Sequence, residues 1–306
     1  IVDHMLGLMA RCAGSKGNEC ESLHKLIHNN GKALPVTVGT VDTRVLVLTG
    51  KPRVETVGWP VLFLSAWAQQ LFSTGGKVLL GGHTLDNPRR FRKMFTTFWD
   101  RFQHVRPDLD IYRRTDRDMG MCIPIALHGD EGRGKLRRPV MVLSFQPIIS
   151  HKGPHFINSS GHSFTTRLLY TLIPSQVYYK RHTLDMLHQG MVDDMLALYN
   201  DGFTVEWKAH SYKFYFIPVY LKGDWPYIRS AAHLMTGFSS RKKCHLCPAA
   251  VLIPFSVACS ESCKFYKFNL LAIGNLEATS DAGLVQRGAN FLHQNISKGR
   301  RSWRCV

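Results

Sequence analysis

Hydrophobic and polar positions alternate in two distinct ways along this chain. The first 40 residues are weakly patterned. "TRVLVLTG" (43–50) predicts a strand, and a helix is expected from Pro60, which suits a first turn, to the pair Gly75–Gly76. "KVLLGG" (77–82) is a short strand or loop. The clearest helical period lies in "LDNPRRFRKMFTTFWDRFQHV" (85–105), where Phe91, Phe95, Phe98 and Phe102 recur on one face. Asp86 or Asn87 can cap this helix and Pro88 suits its first position. From 121 the period changes: "MCIPIALH" (121–128), "RPVMVLSFQPIIS" (138–150) and "TRLLYTLIPSQVYY" (166–179) read as three successive strands. "HTLDMLHQGMVDDMLALYNDG" (182–202) is an amphipathic helix closed by Asn200–Asp201–Gly202. "HSYKFYFIPVYLKGD" (210–224) is a further strand, and "WPYIRSAAHLMTGF" (225–238) a helix with Pro226 in its first turn.

This order, β-β-β-α-β-α, is the core order of a ribonuclease H-like fold. The expected architecture is α/β, a ribonuclease H-like mixed sheet flanked by helices. A basic, mostly helical N-terminal region (1–115) precedes the core (116–247), and an irregular, disordered tail (248–306) follows it. The tail has apolar stretches with neither alternation nor caps and ends in the basic "SKGRRSWRCV". Ile1 in place of a starting Met reads as a fragment or an internal translation product.

Composition adds a partner. The chain has 306 residues, 44% of them hydrophobic, which suffices for one large or two ordinary domains. Lys and Arg outnumber Asp and Glu by 39 to 22, a formal charge of +17. Such a surplus points to a polyanion, nucleic acid or an anionic surface, or to a basic piece that has lost an acidic neighbour. Arg89, Arg90, Arg92, Lys93 and Arg101 lie among the helix-face aromatics and are candidates for a DNA-backbone face. A solvated helix surface accounts for the same charges. No apolar run reaches the roughly 20 residues that span a bilayer; "GWPVLFLSAWAQQLFSTGG" (58–76) is interrupted by Gln69 and Gln70. Eight cysteines suggest reduced thiols in an intracellular protein rather than a disulfide framework.

"HGDEGRGKL" (128–136) has P-loop spacing, but the P-loop requires a following helix and a Ser or Thr after its Lys. Here Leu136 and the β-rich "RRPVMVLSF" follow, so the stretch reads as a hairpin. Its carboxylate then matters more than its glycines. Asp130 is expected to end one apolar strand and Asp224 another. Two carboxylates at neighbouring strand ends make a divalent-metal clamp, because Mg²⁺ favours hard oxygen ligands. A turn cap is the other role for each. His128 could orient a metal-bound water or serve as a hydrogen-bonded structural residue.

"LKGDWPYIRSAAHLMTGFSSRKKCHLC" (221–247) completes a pattern: an Asp, an aromatic, Pro, a helix, then Cys-x-x-Cys. With the preceding hairpin it resembles the catalytic core of DDE-type DNA transposases of the CACTA and Plavaka-like groups, over about 121–247. The resemblance implies DNA as partner, a nuclear location, Mg²⁺ or Mn²⁺ as cofactor, and Asp130 and Asp224 as the first two catalytic metal ligands. It allows a homo-oligomer. The family's third acid, a Glu, has no match here; Glu261 and Glu277 lack a helical setting. Arg229, one turn beyond Asp224, could meet a phosphate or a local acid. Cys244 and Cys247 have zinc-knuckle spacing, and Cys259 and Cys263 could complete a structural Zn²⁺ site. Two functional classes follow: a transposase-derived DNA-binding protein whose strand cleavage is lost, or a non-catalytic nucleic-acid-binding or structural remnant with a zinc cluster.

Overall fold

A computed structural model describes residues 2–12, 19–31, 34–133, 139–152 and 166–233. By its contacts the chain divides between Thr37 and Val38. The first unit holds two helices, α1 (Val2–Cys12) and α2 (Glu19–Asn29). Glu21 and Lys25 pair one turn apart on α2 at 2.6 Å.

The second unit begins with a hairpin, whose first strand covers most of the strand expected at 43–50. Strands β1 (Gly39–Val47) and β2 (Arg53–Val61) pair antiparallel from Gly39–Val61 to Val47–Arg53. Pro60 therefore lies in a strand, opposite Thr40, and the helix expected from it starts later as α3 (Leu64–Ser73). Pro60 has no N–H to give a ladder; its carbonyl accepts from Thr171 Oγ1 at 2.8 Å. The N-terminus of α3 has a partner distant in sequence: Asp194 accepts from Leu64 N (2.7 Å), Ser65 N (3.2 Å) and Ser65 Oγ (2.5 Å). Residues 77–82 form turns rather than a strand.

Helix α4 (Pro88–Gln103) matches its predicted period, with Phe91, Phe95, Trp99 and Phe102 buried and Phe98 half-buried. Its cap differs. Asn87 occupies the cap position without a side-chain bond, while Asp86 instead accepts from Trp207 Nε1 at 3.0 Å and Lys208 Nζ at 2.5 Å.

The core is a mixed sheet of five strands in the order β5-β4-β3-β7-β6. Strands β3 (Cys122–Arg133), β4 (Pro139–Pro147) and β5 (Leu168–Pro174) form an antiparallel meander. Helix α5 (His182–Asn200) follows, then β6 (Phe203–Trp207) and β7 (His210–Gly223), which pair as a hairpin. β7 returns parallel to β3, at the centre of the sheet. The chain order is thus β-β-β-α-β-β-α, with β6 as an extra edge strand that "FTVEW" did not announce. Its two-residue turn uses Lys208 at a φ of 55° rather than a glycine. The last helix, α6 (Trp225–Ala231), is described over a shorter span than the expected 225–238.

Helices α3 and α4 share one core with the sheet. Phe72 stacks on Phe214 of β7 with centroids 4.7 Å apart, and Phe91 meets the same ring at 5.7 Å. Trp99 donates from Nε1 to the Cys122 carbonyl at 2.9 Å. This core takes in residues on both sides of the boundary near 115 that the change of pattern suggested. Arg117 is buried between Tyr199 and Tyr215, its guanidinium carbon 4.5 Å from each ring centre, a cation held between two π faces.

Candidate carboxylate and cation site at the parallel strand pair

The register of β3 and β7 decides what the two aspartates can do. The parallel ladder ends at the pair Gly129–Gly223, so Asp130 and Asp224 are the next residue of each chain segment. Adjacent strands lie about 4.8 Å apart, which puts the two acids at one end of the sheet on neighbouring segments. Asp130 does not end its strand, as expected from sequence. It pairs with Val142 inside β3, and the hairpin continues to Arg133–Pro139. A strand running into an antiparallel partner, rather than a helix, also removes the P-loop reading.

Asp130 is exposed and Asp224 half-buried. Asp224 caps α6: its Oδ1 accepts from Tyr227 N at 2.9 Å, and Pro226 sits within the first turn. One carboxylate oxygen is thereby committed to the helix. The helix in turn lays the Tyr227 ring on the two glycines; a Cβ at Gly129 would fall 2.0 Å from Tyr227 Cζ, and one at Gly223 2.5 Å from its Cδ1. His188 Nε2 and Tyr227 Oη lie 3.2 Å apart. Burial lowers the basicity of His188 and raises the pKa of the Tyr227 phenol.

His128, a candidate from the sequence, lies two residues before Asp130 and is joined by side chains that the sequence did not single out. His128 is paired with Ser144 on β4 and with Lys222 on β7. Burial, then the charges of Arg167 and Lys222, push His128 down to about 3, which keeps the ring neutral at physiological pH. Lys222 is pushed down to about 8 by burial and then by Arg167, and donates from Nζ to Gln146 Oε1. The sequence did carry a signal for these residues. His128, Ser144, Gln146 and Lys222 are polar interruptions of apolar strands, and in β4 two of them stand two positions apart.

Among the described residues no three or more His, Cys, Asp or Glu side chains gather as a metal site. Two carboxylates, one of them already capping a helix, suit a single weakly held hard cation. They do not suit a paired-metal centre. The cationic Lys222, two residues before Asp224, further weakens any divalent ion there. Cys244, Cys247, Cys259 and Cys263, with Glu261 and Glu277, lie outside the described residues.

The basic candidates are only partly available. Arg89, Arg90 and Lys93 are exposed on α4, but Arg92 is committed to Asp118 through its Nη2. Arg229 is exposed in the last turn of α6. No helix among the described residues is long and apolar enough to cross a membrane. A separate concavity of about 550 Å³ is lined by Asp42, Gln189, Asp193 and Asp194 with Thr40 and Phe63. Two of its three carboxylates are engaged: Asp194 caps α3, and Asp193 accepts from Gln189 at 2.7 Å. Compared with known protein families and with curated proteins, the chain matches none.

Proposed function

We propose that this chain is a nucleic-acid-binding protein descended from a DDE-type transposase, with a ribonuclease H-like core that no longer cuts DNA. The observation that carries the reading is the pair Asp130 and Asp224, each one residue beyond the Gly129–Gly223 end of the central parallel ladder. The meander β3-β4-β5, the helix and the parallel return of β7 beside β3 agree with that ancestry. The net charge of +17 supports a polyanionic partner. Two-metal in-line phosphoryl transfer uses paired ions about 4 Å apart, and two carboxylates do not hold them. Mg²⁺ or Mn²⁺ would be held by Asp130 and Asp224, where it would offer Lewis acidity to a phosphate oxygen.

Mn²⁺ is therefore expected to bind weakly by calorimetry, and Asp130→Asn and Asp224→Asn should each weaken it several-fold. Supercoiled DNA should stay intact with Mn²⁺ present. Nicking that both substitutions abolish would reveal a third acid in the chain and restore an active enzyme. Mn²⁺ affinity equal in wild type and both variants would reduce the two aspartates to caps.

DNA binding is checked separately. Affinity should be sequence-tolerant and should fall steeply with added salt, since each neutralised phosphate releases counterions. Neutralising Arg89, Arg90 and Lys93 together should flatten the slope of log K against log salt by roughly two to three, near 0.9 for each phosphate left unneutralised. Arg92→Gln should change it least of the four. A slope indifferent to the triple change would remove α4 from the interface.

A further inference from the structure

Ser144, His128 and Lys222 form one row across β4, β3 and β7, because His128 pairs with Ser144 on one side and Lys222 on the other. Residues paired across a sheet share a face, so a hydroxyl, an imidazole and an ammonium stand together. Gln146 supports the row: its Oε1 accepts from Lys222 Nζ, and its Nε2 donates to Thr166 Oγ1 at 3.2 Å. His128 and Ser144 are more than nine-tenths buried, yet among the described residues His128 Nδ1 and Ser144 Oγ have no hydrogen-bond partner. Buried polar atoms nearly always have one, and an orphan in a native site marks the place of an ion, a water or a ligand atom.

Charge points the same way. Arg167 immediately precedes Leu168, the partner of Phe145 on β4, which brings it to the level of Gln146 in the next strand. Among the described residues neither Arg167 nor Lys222 forms an ion pair. A partly buried lysine beside an arginine, with no counter-charge among the described residues, is electrostatically incomplete. Two cations plus two unpartnered polar atoms lack one component, and that component is an anion with several acceptor oxygens.

We infer that the row Ser144–His128–Lys222, with Arg167 at its rim, is an oxyanion site that takes a backbone phosphate of nucleic acid. The inference rests on the nucleic-acid reading for the source of the phosphate but not for the site itself. Lys222 and Arg167 supply charge-assisted hydrogen bonds, which are the strong ones. The Ser144 hydroxyl and an N–H of the His128 imidazole supply the remaining donors. The site lies on the same strands as Asp130 and Asp224, and would hold a phosphodiester beside the carboxylate pair.

Calorimetry on the full chain at fixed ionic strength, with inorganic phosphate and separately with a short oligothymidylate, tests this. Both should bind the wild type and compete. Lys222→Met and Arg167→Gln should each lower the affinity for both about tenfold, and Ser144→Ala a few-fold, as loss of charged and neutral hydrogen bonds implies. Arg167 is exposed, so Arg167→Gln keeps the question answerable if Lys222→Met fails to fold; thermal melting tells the two apart. Phosphate binding that is undetectable at millimolar concentration, or unchanged in Arg167→Gln, overturns the site. Loss of phosphate binding in the variants with oligothymidylate affinity unchanged overturns the backbone as its source. Oligothymidylate that fails to bind the wild type, while phosphate still responds to both substitutions, sinks the nucleic-acid reading and leaves a free-phosphate site.

Discussion

Gly129→Ala is expected to destabilise the protein by about 3 kcal/mol, the upper part of the range for overpacking a tight contact. The added Cβ would lie 2.0 Å from Tyr227 Cζ and within 2.5 Å of both neighbouring ring carbons. The ring has little room to yield. Gly223 also lies close against it near Cδ1, and His188 meets its hydroxyl. Relief must come from lifting α6, and that pulls Tyr227 N away from the Asp224 carboxylate that accepts from it. Urea denaturation of Gly129→Ala, Tyr227→Leu and the double variant checks this. The double variant should be clearly more stable than the two separate effects summed, since both act on one contact. A Gly129→Ala protein as stable as wild type would mean the ring is not seated on the ladder's end.

The second large effect is expected at Trp99, which is fully buried. It meets Phe98 edge-on at 5.0 Å, and Phe102 and Tyr112 each at 6.2 Å. Trp99→Ala should cost about 3–5 kcal/mol, as large-to-small aromatic changes in cores do. Trp99→Phe keeps much of the packing but strips the Nε1 donor from the Cys122 carbonyl, and should cost about 1–3 kcal/mol. Equilibrium denaturation measures both. A loss below about 1 kcal/mol for Trp99→Ala would show that α4 is not anchored to the sheet through this side chain.

What could be read in the sequence depended on whether local chemistry and tertiary packing agreed. Helix α4 was legible because Pro88 and the aromatic spacing said the same thing as the core it faces. The β3–β4 hairpin was legible because Pro139 and a β-rich run ruled out the helix that a P-loop requires. Strand β2 was not, because Pro60 is as good a helix opener as it is a tolerated strand residue. The ladder with β1 and the distant Thr171 hydroxyl decide between them. The same holds for β6, five residues long with a charged residue and no glycine turn, which becomes a strand only because β7 lies beside it. At the site, the two aspartates could be found as polar residues near the close of apolar runs. Their relation could not, since it depends on a register between strands far apart in the chain. Lys222 and Ser144 were passed over because one polar residue within an apolar strand looks like tolerated noise until pairing sets it beside another.

The parallel pairing of β3 with β7 has a consequence for the order in which the molecule is made. Cys122 and Tyr215 are partners at its start, yet the whole meander, α5 and β6 must be synthesised between them. Until β7 emerges, β3 presents one unpaired edge, flanked by buried Ile123 and Ile125 that have no cover on that side. Non-local parallel pairing is the slow kind, because the loop entropy is spent before any ladder repays it. The two aspartates therefore meet only in the closing step of assembly. A nascent or truncated chain that stops short of Gly223 holds neither the carboxylate pair nor the phosphate row. It carries instead a sticky central strand, the form in which this protein is most exposed to aggregation and to capture by chaperones.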